Sequence, residues 1–457
     1  MSMVNPYIFR EYDIRGVADR DFPDEITYTL GKTFGTYFRQ KNCSRIVLGR
    51  DCRLSSPRLH QSLSQGILDT GCDIIDLNII PTPLLYFSLF NLKVDGGIMI
   101  TGSHNPPDNN GFKICLGKTT IFGEEIQKLK ALMEKGKFTQ GKGTLIPQDI
   151  KEQYLKTVPG FLNIGKIKRK VVIDSGNGTA GIIAGPLYRS LGFEVIELFS
   201  EMDGHFPNHH PDPTVPENLS FLITEVINQK ADLGIAFDGD ADRIGIINEQ
   251  GKIIWGDQLM IIFSRAILQE IPGATFVAEV KCSQNLFDDI HRHGGKAIMW
   301  KVGHSLIKAK LKEEKAQLAG EMSGHIFFAH RYYGYDDALY AGARLLEILS
   351  NTEKNLSELL SDVPPTVVTP EIRTECPDEI KFLVVKNLVE RFKDKYPVIE
   401  VDGARILFDS GWGLVRASNT QPVLVLRFEA TDEKNLAHIK SLVEKEVAEI
   451  IKKVTKI

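Results

Sequence analysis

No C-x-x-C spacing occurs among the six cysteines (Cys43, Cys52, Cys72, Cys115, Cys282 and Cys376). That excludes a zinc ribbon, indicates no disulfide framework, and makes a reducing cytoplasm the expected setting. No apolar run approaches the roughly 18 residues that a membrane span needs. The opening residues, MSMVNPYIFREYDIRG, lack the basic start and apolar stretch of a secretory signal. Excess positive charge is missing as well: 55 Lys and Arg against 59 Asp and Glu give a net charge of −4. No overall field therefore draws in nucleic acid or an anionic membrane surface, and an anionic ligand has to be held by local groups. With 21 Pro and 39 Gly in 457 residues, the chain is neither collagenous nor disordered.

What is present is an ordinary globular composition, 42% hydrophobic and 25% charged. A chain of this length exceeds what one hydrophobic core serves, so three or four domains are expected. Short β-branched runs recur, each followed by a Gly/Asp/Asn-rich loop and a helix-like stretch, the grammar of α/β units. RIVLGRD (45–51), DIIDL and GGIMITGS (96–103) read as strands, with helices at about 56–70 and 82–92.

A new unit opens at KVVIDSGNGTAG, after a Gly- and Lys-rich stretch, and the turn NEQGK offers the next boundary. A third unit carries strands TFVAEV and KAIMWKV with helices near 256–270, 283–293 and 304–315, and ends before VPPTVVTP, whose prolines read as a linker. A helix near 378–395, the strands ARILFD, LVRAS and VLVLRFEA, and a terminal helix from about 432 complete an α+β unit. The boundaries expected are 1–150, 151–250, 251–366 and 367–457.

Four segments carry chemistry. TGSHNPPDNNGFK (101–113) follows an apolar strand, placing Ser103 at the carboxyl end of a strand where α/β sheets present reactive groups to a crevice. Its bland counterpart is a turn-rich hairpin. FDGDADR (237–243) sets Asp238, Asp240 and Asp242 at alternate positions, oxygen donors suited to one hard cation such as Mg²⁺. Glu249 falls at the twelfth position of an EF-hand count, but Arg243 stands where that loop needs Gly and both flanks read as strands. GEMSGH (320–325) offers Glu321 and Ser323 to sugar hydroxyls, and His325 to an anion or a proton. RASNTQP (416–422) gathers Arg416, Ser418, Asn419 and Thr420 as donors with no acid nearby in the sequence, as a phosphate cradle needs.

In this order and at these spacings, the four segments resemble the α-D-phosphohexomutase family, most closely its bacterial phosphomannomutase/phosphoglucomutase branch, over essentially the whole chain. The resemblance implies three similar α/β domains with mixed sheets plus a C-terminal α+β domain, around a central cleft. It implies that Ser103 carries a phosphoryl group, that Asp238, Asp240 and Asp242 hold Mg²⁺ with a phosphoserine oxygen, and that GEMSGH and RASNTQP recognise sugar and phosphate. By the same resemblance Tyr12 and Arg15 are cleft residues, and Lys113, Arg243, Lys281 and His304 line the reacting phosphate and sugar.

The implied reaction interconverts hexose 1-phosphate and hexose 6-phosphate of mannose or glucose, with a hexose 1,6-bisphosphate as intermediate and activator that turns around in the cleft. Lys113, His304 and His325 all stand as candidate general acid/bases. Closure of the fourth domain is expected about a hinge near 364–370. A phosphoglucosamine mutase is the alternative on the same scaffold; Met322 and Ala241 look more like the mannose/glucose branch. A non-catalytic sugar-phosphate sensor is the other. A monomer without nucleic-acid or membrane partners is expected.

Overall fold

A computed structural model describes residues 4–418 and 422–455. Four sheets follow one another along the chain. The first runs Ile14–Val17, Asn109–Leu116, Gly96–Ile100, Arg45–Arg50, Asp73–Ile79, Leu145–Pro147. It is antiparallel at one end and parallel at the other. The second orders Ile253–Ile254, Ile244–Asn248, Leu233–Phe237, Lys170–Asp174, Glu194–Leu198, and the third Lys296–Trp300, Thr275–Glu279, Leu318–Gly320, Ile326–Phe328. Both are mixed as well. Every pairing described for the fourth sheet, built on Ala404–Phe408, Gly411–Ala417 and Val423–Ala430, is antiparallel.

The central strands Gly96–Ile100, Leu233–Phe237 and Ile244–Asn248 are buried along their whole length. Helices cover both faces of such a sheet, so these strands read as continuous apolar runs rather than alternating ones. Helices Asp24–Gln40, Glu124–Lys135 and Ala338–Ser350 add to those expected. In the first of them Gly31 permits contact with Ser56–Leu68, since a Cβ there would lie 2.2 Å from the Leu63 carbonyl oxygen. Ala338–Ser350 is buried nearly all round, so it lacks the polar face by which an amphipathic helix is read from sequence.

Two expectations change. The strand read over 96–103 ends at Ile100, and its partner is Asn109–Leu116, on which Lys113 stands opposite Met99. The proline-flanked stretch is a linker only in part. Val367 and Val368 pair with Ala430 and Glu429, since the prolines leave both valines their N–H groups and β-branched residues suit a sheet edge.

One buried core joins the first three units, drawing on Leu84 and Met99, on Val171 and Ile235, and on Phe276 and Leu346. The C-terminal unit has its own core under helices Asp378–Phe392 and Glu433–Val454, and meets the third unit through a small cluster of Val280, Trp412 and Leu414.

Candidate active site

Three of the four motifs turn between the strands of a β-hairpin, and the fourth lies between two paired strands. Strand pairs Gly96–Ile100/Asn109–Leu116, Leu233–Phe237/Ile244–Asn248, Leu318–Gly320/Ile326–Phe328 and Gly411–Ala417/Val423–Ala430 each enclose one of them. The bland hairpin reading and the chemical reading of the sequence are thus compatible, since a hairpin turn can present a reactive group.

Ser103 is buried and adopts φ 50, a left-handed conformation uncommon outside glycine. Its Oγ donates to Asp238 Oδ2 at 2.8 Å and lies 3.0 Å from His104 Nδ1. Burial, with Arg243 and Arg15 nearby, lowers His104 well below the ordinary histidine range, so its ring is neutral. The approach of the two loops requires Gly239, where a Cβ would sit 2.6 Å from the Ser103 carbonyl oxygen.

Asp238, Asp240 and Asp242 are fully buried, and one oxygen from each lies within 4.8 Å of the others. Lys113 Nζ donates to Asp240 Oδ2 at 2.8 Å and, more closely, to Asp242. Burial opposes the charge on Lys113, but Asp240 and Asp242 outweigh it and raise its pKa. Asp238 is driven upward by burial and by its two carboxylate neighbours. Asp240 Oδ1 and Asp242 Oδ1 are buried without a hydrogen-bond partner. Three crowded carboxylates with orphaned oxygens and one ammonium form a site that a hard divalent cation fits.

Arg243 Nε donates to His325 Nε2 at 3.0 Å, which leaves the proton of the neutral ring on Nδ1, 3.3 Å from Asp336 Oδ2. While that bond stands, His325 has no lone pair left to accept a proton. His304 stacks on His325 with ring centroids 5.6 Å apart. Burial and then Lys308 lower its pKa, and it is neutral too. Arg15 pairs with Asp13 at 2.5 Å, and Tyr12 Oη donates to the Val302 carbonyl at 2.9 Å, tying the first unit to the third.

Four models of the phosphoglucomutase/phosphomannomutase family match in chain order: alpha/beta/alpha domain I at residues 6–140, domain II at 152–251, domain III at 255–367 and the C-terminal domain at 371–446. The chain belongs to the phosphoglucomutase/phosphomannomutase family. It is 46% identical over 437 residues to a phosphomannomutase/phosphoglucomutase of Pseudomonas putida, covering 95% of this chain and 94% of that one. To a phosphoglucomutase of Neisseria gonorrhoeae it is 44% identical over 448 residues, 96% of each chain. A crystal structure of a phosphoglucomutase/phosphomannomutase family protein from Burkholderia thailandensis superposes with a TM-score of 0.93 at 41% identity, over 98% of both chains.

Within this family framework, the hydrogen bonds and ion pairs link Ser103, Lys113, the three aspartates, Arg243, His325 and His304 into one buried group. Lys281 and Arg416 belong to a second group, at the seam with the C-terminal unit. Lys281 Nζ lies 3.7 Å from Glu279 and 3.5 Å from Glu371. Glu321 Oε1 accepts from the Gly303 N–H at 2.6 Å, while Ser323 sits half-buried in the turn. Ser418 donates its N–H to Val423 and accepts from Lys381 at 2.5 Å on its carbonyl oxygen. Asn419 and Thr420 lie outside the described residues.

The expectation that Arg416 stands without an acid is corrected. Its Nε and Nη2 lie 3.2 and 3.1 Å from Asp402 Oδ2, which also accepts from the Val302 N–H at 3.0 Å. Asp402 precedes the strand Ala404–Phe408, and the antiparallel pairing of that strand with Gly411–Ala417 brings the carboxylate to Arg416.

Sequence reading missed four further residues. Asp336 accepts from Lys308 at 2.9 Å and faces both histidines. Thr82 Oγ1 donates to Asp240 at 2.6 Å. Glu279 accepts from the Met322 N–H at 2.8 Å, holding the GEMSGH turn. His104 stood inside the motif, and its position next to Ser103 was the available signal.

Proposed function

We propose that this chain is a phosphohexomutase that interconverts the 1- and 6-phosphates of mannose or glucose through a phosphoserine at Ser103 and a 1,6-bisphosphosugar. The observation that carries the reading is the buried contact of Ser103 Oγ with Asp238, one hairpin turn set against another. Asp238, Asp240 and Asp242 would hold Mg²⁺, which when bound neutralises charge on the transferring phosphoryl group.

The chain's own residues divide the remaining work. Lys113 is poised on Asp240 and Asp242 to pass its hydrogen bonds to phosphoryl oxygens, with Arg15 and Arg243 adding positive charge beside it. His104, neutral and 3.0 Å from Ser103 Oγ, can accept or return its proton in the tautomer that leaves Nδ1 bare, once the Oγ–H turns from Asp238 to the ring. His325 orients Arg243, and Asp336 holds the His325 tautomer. Glu321 and Ser323 take sugar hydroxyls, Tyr12 and His304 line the cleft, and Lys281 with Arg416, Ser418, Asn419 and Thr420 takes the phosphate that is not reacting.

The units 1–150, 151–250 and 251–366 form the fixed part of the cleft, and 367–457 closes on it, in a monomer. Among the described residues no helix is long and apolar enough to cross a membrane.

A mutase assay on glucose, mannose and glucosamine 1-phosphates with a bisphosphate primer tests the proposal. Turnover of the first two and little of the third is expected. Preferred turnover of the glucosamine phosphate would assign the alternative mutase, and binding without isomerisation of any of the three would leave a sensor.

A further inference from the structure

Arg53 is buried to 1% exposure, and an acid is only part of what it meets. Its Nη2 donates to the carbonyl oxygens of Ser103 at 2.7 Å and Asn105 at 2.6 Å, and its Nη1 to those of Pro106 at 2.5 Å and Asn109 at 3.0 Å. Nε lies 3.3 Å from Asp51 Oδ2. That same oxygen accepts from the Gly102 N–H at 3.0 Å, and Asp51 Oδ1 accepts from the Arg53 N–H at 3.0 Å. The Phe206 ring, from the second unit, lies 5.2 Å from the guanidinium.

One buried cation therefore gathers the carbonyls of the whole turn between the nucleophile and the next strand. A serine at φ 50 persists only where its surroundings over-determine it, and these bonds do so. Four carbonyl oxygens engaged by Arg53 also keep their negative ends from a phosphoryl group on Ser103.

We propose that Arg53 is a positioning residue for phosphoryl transfer, holding Ser103 in the left-handed conformation that sets its Oγ against Asp238. The inference rests on the reading of Ser103 as the phosphoryl carrier. Arg53→Lys keeps the charge but replaces a planar fork by a single ammonium that cannot span four carbonyls.

Displacement of a reacting atom by about 1 Å costs about 100-fold in rate, so kcat for glucose 1-phosphate is expected to fall about 100-fold while KM stays within about threefold. Ser103 should still be phosphorylated by glucose 1,6-bisphosphate, and in a single turnover pass that phosphate on about 100-fold more slowly, with an unchanged circular dichroism spectrum. An unchanged kcat, or a loss that follows KM or the folded signal, overturns the proposal.

Should the lysine variant fail to fold, Asp51→Asn replaces the carboxylate that fixes Arg53 Nε and the Gly102 N–H. A kcat about tenfold lower at constant KM then supports the role, and an unchanged kcat overturns it. Ser103→Ala is measured alongside. Full activity there overturns the phosphoserine reading itself, whereas an inactive alanine variant with a fully active lysine variant overturns only the role of Arg53.

Discussion

The first three units and the C-terminal unit are built into the molecule in opposite ways. The former share one uninterrupted buried core, so none of them can shift without opening apolar surface or a void. The latter is attached by the Val280, Trp412 and Leu414 cluster and by a few polar contacts around it. Arg405 donates to the Val280 and Cys282 carbonyls at 2.5 and 2.8 Å and stacks 3.9 Å from the Trp412 ring. Glu429 ties Trp412 Nε1 at 2.9 Å to the Gln284 N–H at 3.2 Å. Ser103 and the three aspartates are buried within the first three units, where geometry is held; Arg416 sits on the attached unit, where a small seam leaves room to close on a ligand.

The sharpest test of this contrast acts on the block. Asp240→Asn replaces a carboxylate that meets Lys113 and Thr82 by a neutral amide. Activity at low Mg²⁺ should fall by about two decades or more, with recovery at high Mg²⁺, since ligand charge sets metal affinity. Metal titration of activity checks it, and an unchanged midpoint would take Asp240 out of the metal site.

Trp412→Ala acts on the seam and should cost about 3–5 kcal/mol. The loss should appear as a separate early transition of the C-terminal unit in calorimetry, with the main transition in place. A single cooperative transition would show the seam to be as binding as the shared core.

Arg416→Ala removes a charge-assisted phosphate contact worth about 1.5–3 kcal/mol. KM for both 1- and 6-phosphosugars should rise about one to two decades, with Ser103 phosphorylation unaffected. Asp402→Asn, which frees the guanidinium of its present partner, should leave KM nearer its starting value. An effect of Arg416→Ala on one substrate alone would remove this loop from the exchange of phosphates.

The remaining effect is one of pH. Burial raises the Glu279 carboxyl to about 7 from 4.5, with Lys281 opposing it. A folded state that binds the proton more tightly than the unfolded one is favoured below about pH 4.5 and loses that advantage as pH rises towards 7. Over this window the cost is about 3 kcal/mol. Glu279→Gln should therefore gain stability relative to the native chain between pH 5 and pH 8 in urea unfolding. A pH-independent difference would place the proton elsewhere.

Local pattern made much of this legible. Helix Gly256–Glu270 and strand Lys170–Asp174 follow from periodicity and β-branching within single segments. The triple aspartate and the serine turn were visible because metal and nucleophile chemistry concentrates residue types within a few positions. Asp336 and Arg53 were not. Each acts on a partner distant in sequence, the first through His325 and Lys308 and the second through the carbonyls of Ser103 to Asn109, and backbone carbonyls leave no mark on composition.

The sequence alone thus determined the α/β class and the four motifs that mark its turns, since these depend on neighbours along the chain. Only the tertiary structure decided which charges meet: Lys113 with Asp240, Arg416 with Asp402, Arg243 with His325. Pairing energies depend on separation and burial, and both are set by how strands from different parts of the chain come to lie side by side.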